Sequence, residues 1–150
     1  MYPNSYAVPA VAKIFGVSQE DVRVVPHPTD IAQFFNMTPE VEKLLFEKDI
    51  LSADAITTYP IRLDRGKQVE YVIRTMAMLK EFGLTIRVIV ADFHSTGGDK
   101  LDYRDKLKQD AIDYGLNSDE LIFLSEQNEE WEHEVPQEVI GSFQILSNVF

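Results

Sequence analysis

Apolar residues recur along this chain at two alternating spacings, one helical and one extended, and the alternation predicts the fold. From Tyr6 to Phe15 they fall at helical intervals that stop at Gly16, and Val22 to Val25 then reads as a short strand ending at Pro26-His27-Pro28. Thr38-Pro39-Glu40 is a helix start, with Thr38 as N-cap, Pro39 at the first helical position and Glu40 in the first turn; this helix is expected to reach about Lys48. Ala53 to Tyr59 reads as a second strand. From Gly66 the apolar set Val69, Val72, Ile73, Met76, Ala77, Leu79 and Phe82 describes a helix closed by Gly83. Thr85 to Ala91 is a third strand whose only interior polar residue is Arg87, the near-continuous apolar run of a parallel strand covered on both faces.

A helix over Leu101 to Tyr114 closed by Gly115, a strand over Leu121 to Leu124 and a helix from Val135 or Pro136 to about Leu146 complete the pattern. Asn148-Val149-Phe150 reads as a fifth strand cut short, so a chain truncated at its C-terminus is expected. There is no internal repeat or low-complexity run. Strands alternating with helices imply parallel crossovers, hence an α/β, Rossmann-like, doubly wound parallel sheet. Such sheets bind ligands outside the carboxyl ends of their strands, which selects the loops after Tyr59, Ala91 and Leu124.

Composition narrows the function classes. A chain of 150 residues, 45% hydrophobic and 26% charged, fits one globular domain spanning residues 1–150. Its 14 basic against 25 acidic residues give a net charge of −11, which disfavours nucleic acid and anionic membrane surfaces as partners. The absence of cysteine excludes disulfides, thiol catalysis and cysteine-ligated metals, and suits a reducing cytoplasm. No apolar run reaches membrane-spanning length, and Met1-Tyr2-Pro3-Asn4-Ser5 lacks the pattern of a signal peptide; a soluble, cytoplasmic chain is expected.

The densest chemistry lies in Tyr59-Pro60-Ile61-Arg62-Leu63-Asp64-Arg65-Gly66-Lys67-Gln68, entered from a strand and left by a helix. Unpaired N–H groups and the positive end of the dipole at that helix start form an anion-binding pole that Arg62 and Lys67 would reinforce. A Walker loop is ruled out by Ile61 and Gln68, which stand where it needs Gly and Ser or Thr, and no strand is followed by a dinucleotide fingerprint. In the second loop, Asp92-Phe93-His94-Ser95-Thr96-Gly97-Gly98-Asp99-Lys100, the segment Ser95, Thr96, Gly97 and Gly98 reads equally as a pocket lining and as a polar turn. Asp92 and His94 lack a third ligand, so no metal site is expected there. The run from Glu126 to Glu134 around Trp131 and His133 reads as a solvated acidic loop with Trp131 covering the sheet edge, and His27 as structural.

These motifs together resemble the C-terminal, donor-binding half of retaining glycosyltransferases of the GT-B fold, the large family that includes glycogen synthases and many mannosyl- and glucosyltransferases. The resemblance spans most of the chain. In that family a strand ending in Pro-x-Arg-Leu and followed by Gly-Lys opens the nucleotide-sugar site, here Pro60-Ile61-Arg62-Leu63-Asp64-Arg65-Gly66-Lys67. Val24-Val25-Pro26-His27-Pro28-Thr29-Asp30 is similar to the family's Val-Ile-Pro-Asn-Gly-Ile-Asp, departing at His27 and Pro28.

The resemblance implies that Arg62 and Lys67 neutralise the donor diphosphate and help the nucleoside diphosphate depart. It also implies that Leu124 and Ser125 lie in the loop that meets the nucleobase, with UDP, GDP or ADP left open. No metal or cofactor is implied. The family's two glutamates belong just after the strand beginning at Asn148, and its acceptor-binding domain precedes this half, so the chain is expected to bind donor without turnover. A catalytically silent α/β interaction module is the alternative reading; a sugar-nucleotide epimerase is disfavoured by the missing fingerprint.

Overall fold

The computed structural model describes residues 5–25, 37–93 and 100–150. Within the one domain expected, the chain divides into two compact units, Met1–Ile31 and Ala32–Phe150. The first carries α1 (Val8–Phe15), entered by a 3-10 turn at Ser5–Ala7 and ended by Gly16, whose φ of 65° is left-handed. The strand expected over Val22 to Val25 is absent. Only Val24 forms an isolated bridge, no strand forms over the described residues 22–25, and Val24 and Val25 remain 40% and 47% exposed.

The second unit contains α2 (Pro39–Glu47), β1 (Ala55–Arg62), α3 (Val69–Glu81), β2 (Ile86–Phe93), α4 (Lys100–Asp113), β3 (Leu121–Phe123) and α5 (Gln137–Leu146). Thr38 caps α2 as its sequence predicts, its Oγ1 accepting from the Val41 N–H at 3.4 Å. Gly83 and Gly115, with φ of 90° and 82°, close α3 and α4.

Among the described residues the strands form one three-stranded parallel sheet in the order β1-β2-β3. This is an α/β architecture compatible with a Rossmann-like fold. The two-residue period of the strands divides the core cleanly. Ala55, Ile61, Ile86, Val88, Val90, Leu121 and Phe123 pack against Ile73 and Met76 of α3 and Leu107 of α4. Ile56, Ile89, Ala91 and Ile122 face the other way, onto Val41 and Leu44 of α2 and Val139, Ile140 and Phe143 of α5. Burial on both faces is why β2 reads as an unbroken apolar run.

β1 continues three residues past the expected Tyr59, through Pro60 to Arg62. Ile56 directs its N–H and C=O toward the edge away from β2, where its N–H donates to Asn148 Oδ1 at 2.8 Å and its C=O accepts from the Val149 N–H at 3.1 Å. By the same two-residue period the nitrogen of Pro60 faces that edge, where a missing donor costs no β1–β2 bond. Asn148 and Val149 are therefore fastened to β1, but they form no strand; the fifth strand expected there is not present.

Trp131 and its acidic surroundings agree with the expected reading: Glu126, Glu129, Glu130, Glu132 and Glu134 are exposed, while Trp131 is 3% exposed and belongs to the second core cluster with Val41, Leu44 and Phe143.

Candidate functional site

The carboxyl ends of all three strands lie along one edge of the sheet, with Arg62 in register with Phe93 and the β2–β3 ladder ending at Val90 and Phe123. At the end of β1 the chain makes a tight 3-10 turn over Arg65–Lys67, held by the Lys67 N–H donating to the Asp64 carbonyl at 3.1 Å. The Tyr59 hydroxyl donates to the Lys67 carbonyl at 3.0 Å, tying that turn back to the strand. Arg62 and Lys67 are both exposed, one at the strand end and the other in the turn.

Electrostatically this pole is mixed. The Arg62 Nε lies 3.3 Å from Asp64 Oδ2, and Arg65 lies over the Tyr103 ring at 5.6 Å from its centroid. Lys67 forms no salt bridge among the described residues. Helix α3 starts from Gln68, a non-glycine residue held at φ 56°, and its first turn carries Glu70, which occupies the end favourable for an anion with a charge of its own. The buried Tyr103 hydroxyl has no hydrogen-bond partner of good geometry and faces Glu70 and the Val69 amide. Burial first, and the Glu70 carboxylate second, push its phenol far above the ordinary tyrosine range.

The end of β3 is arranged differently. Leu124 is fully buried and Ser125 is 4% exposed, so neither side chain offers a surface to a ligand. The Ser125 N–H donates to Asp92 Oδ1 at 3.2 Å and its hydroxyl to Asp92 Oδ2 at 2.6 Å. Asp92, which opens the second candidate loop of the sequence, is a buried anchor. Arg104 adds an Nη1 bond to Ser125 Oγ at 3.2 Å. Asp92 and Ser125 stand 33 positions apart, and Arg104 comes from a third element, so no local pattern announces the cluster.

Ser95, Thr96 and Gly97, with His94 and Gly98, lie outside the described residues, as does His27. Among the described residues no group of three or more His, Asp or Glu is placed to hold a metal ion. No described helix is long and apolar enough to cross a membrane. None of the protein-family models, curated protein sequences or solved structures compared with this chain matches it.

Proposed function

We propose that the chain is the donor-binding part of a retaining, metal-independent glycosyltransferase of the GT-B type, taking a nucleotide-diphosphate sugar in the cytoplasm. One observation carries the reading: Arg62 lies at the carboxyl end of β1 and Lys67 in the turn that feeds α3, at the strand edge where parallel α/β sheets take ligands. Their charges would neutralise the diphosphate and stabilise it as a leaving group, the larger electrostatic share falling in the transition state. The acceptor, on this reading, is bound by a separate domain.

A catalytically silent interaction module is the second reading, and specific contacts favour it. Arg62 is paired with Asp64, Glu70 stands at the helix start, and Leu124 and Ser125 are buried. An amide NMR titration with millimolar UDP, GDP and ADP separates the two. Shifts around Arg62 and Lys67 that vanish in the Arg62→Ala, Lys67→Ala double variant support donor binding; no shifts with any nucleotide support the silent module.

A further inference from the structure

Helix α3 buries Val69, Ile73, Met76 and Ala77, and its opposite face carries a second apolar stripe that stays exposed. Tyr71, Thr75, Met78 and Phe82 stand at positions i, i+4, i+7 and i+11, which align on one side of a helix. Phe82 closes the last turn, its N–H donating to the Met78 carbonyl at 3.2 Å, so it stays on that line. Beside Tyr71 the stripe runs into a cleft of about 410 Å³ between α3 and β1, lined also by Val72, Val149 and Phe150.

The area is that of an interface. Tyr71 is 65%, Phe82 81% and Phe150 97% exposed. At about 200 Å² for a whole aromatic side chain these three alone present roughly 500 Å², toward the top of the roughly 300–600 Å² that the largest apolar patch of a typical monomer reaches. Met78, Leu84 and the flanking Arg74 and Glu81 bring the face toward the roughly 800 Å² that each partner contributes to a standard interface.

Charge says what fits it. Arg74 and Glu81 lie on one flank of the stripe, both exposed and without an ion pair among the described residues. A two-fold axis in the contact plane, crossing α3 between them, sets a second α3 antiparallel and brings like flanks together. Arg74 of each copy then stands opposite Glu81 of the other, so the pairing occurs twice. A parallel two-fold would set Arg74 on Arg74 and Glu81 on Glu81. The antiparallel arrangement also carries the partner copy's Phe82 to the Tyr71 end of the helix, where the cleft beside β1 is open.

We infer that the outer face of α3 is the interface of a homodimer in which two copies of this chain are joined by antiparallel α3 helices. The inference stands apart from the donor-binding reading, since it uses neither Arg62 nor Lys67.

The test is sedimentation equilibrium of the full chain at physiological ionic strength, where screening holds down the repulsion between two chains of net charge −11. The wild type is expected to pass from 17.2 kDa to twice that mass as its concentration rises through the micromolar range. Met78→Glu sets two carboxylates against each other near the axis and is expected to leave only the monomer at the same concentrations. Phe82→Ala is expected to weaken dimerisation by at least about tenfold. Arg74→Glu and Glu81→Arg are each expected to weaken it by about tenfold, because each change acts at two symmetric places. The Arg74→Glu, Glu81→Arg double variant re-forms both pairs in reverse and is expected to return to within about twofold of the wild type. All four positions are exposed, so the far-ultraviolet circular dichroism of the monomer is expected to be unchanged. Should Met78→Glu not fold, the charge reversals carry the test alone.

A chain that stays monomeric at every concentration overturns the inference, whatever else covers the face. A dimer unchanged by Met78→Glu and Phe82→Ala joins through a different surface and overturns it as well. Single charge reversals that weaken association without rescue by the double variant overturn the antiparallel pairing and the inference with it.

Discussion

Arg62 and Asp64 lie 3.3 Å apart, side chain to side chain, across the single residue that separates the end of β1 from the following turn. The candidate phosphate cation is thus partly neutralised by its own neighbour before any ligand arrives. The pair is exposed, 62% and 37% on the two side chains, so its own strength is small. Asp64→Asn keeps the backbone bonds of the turn and frees the guanidinium. Affinity for a nucleoside diphosphate is expected to rise by about twofold to fivefold, the worth of an exposed ion pair, and to rise less at high salt. Calorimetry at two ionic strengths checks it; weaker binding in the variant would mean that Asp64 aims Arg62 rather than competing for it.

The ion pair of Lys80 and Glu120 has a different weight, because Glu120 is 7% exposed. The Lys80 ammonium reaches Glu120 Oε2 at 2.7 Å and the Gly115 carbonyl at 2.8 Å, while the Asn117 N–H donates to the same carboxylate oxygen at 2.7 Å. Together these bonds fasten the end of α3 to the segment entering β3. Lys80→Met leaves a buried carboxylate with one remaining donor, and a loss of about 2 kcal/mol in unfolding free energy is expected. Urea denaturation checks it, and a loss no larger than that of an exposed pair would show that water replaces the ammonium.

The helices and the central strand were legible because their signals are local. Thr38 and Pro39 mark the start of α2, Gly83 and Gly115 mark helix ends, and β2 announces its two-sided burial by having only Arg87 as an interior polar residue in the expected strand. What escaped depends on partners distant in sequence. β1 runs past the expected Tyr59 because Pro60 is harmless on the edge away from β2. The valines at 22, 24 and 25 carry a strand's composition, but among the described residues they form no strand. In the candidate site, Arg62 and Lys67 stand out as basic residues flanking a strand-to-helix turn, whereas Asp92 and Arg104 acquire meaning only when β2, β3 and α4 are side by side. Ser125 was singled out for ligand contact, but its hydrogen-bonding groups are turned inward.

Trp131 gives a direct probe of the second core cluster. It is the chain's single tryptophan, surrounded in sequence by glutamates, yet it is 3% exposed in the structure. Its emission is expected to be blue-shifted in the folded chain and to move to that of solvated indole on unfolding. Trp131→Ala opens a large cavity beside Leu44 and Phe143, with an expected cost of about 3 to 5 kcal/mol. Denaturation followed by far-ultraviolet circular dichroism measures that cost, and a value near zero would place the residue on the surface.

Asp54 and Thr85 join the entrances of β1 and β2, and their contact gives the fold a pH dependence of known sign. The Thr85 hydroxyl donates to Asp54 Oδ2 at 2.7 Å, and the Thr85 N–H donates to the same oxygen at 2.9 Å. These bonds, the hydroxyl first and the amide second, hold the Asp54 carboxyl below its ordinary value of 3.8, against a small opposing effect of burial. In the unfolded chain the group therefore binds its proton at a higher pH than in the folded one. The stabilisation is complete above the ordinary carboxylate range and is lost as pH falls through the lowered folded value. Thr85→Val removes the hydroxyl and keeps the amide, so the Asp54 carboxyl carbon should titrate closer to 3.8 in the variant than in the wild type. The loss of stability with acidification, followed by urea midpoints from about pH 5 to about pH 2, should be correspondingly shallower. An Asp54 titration that does not move would assign the whole effect to the Thr85 amide.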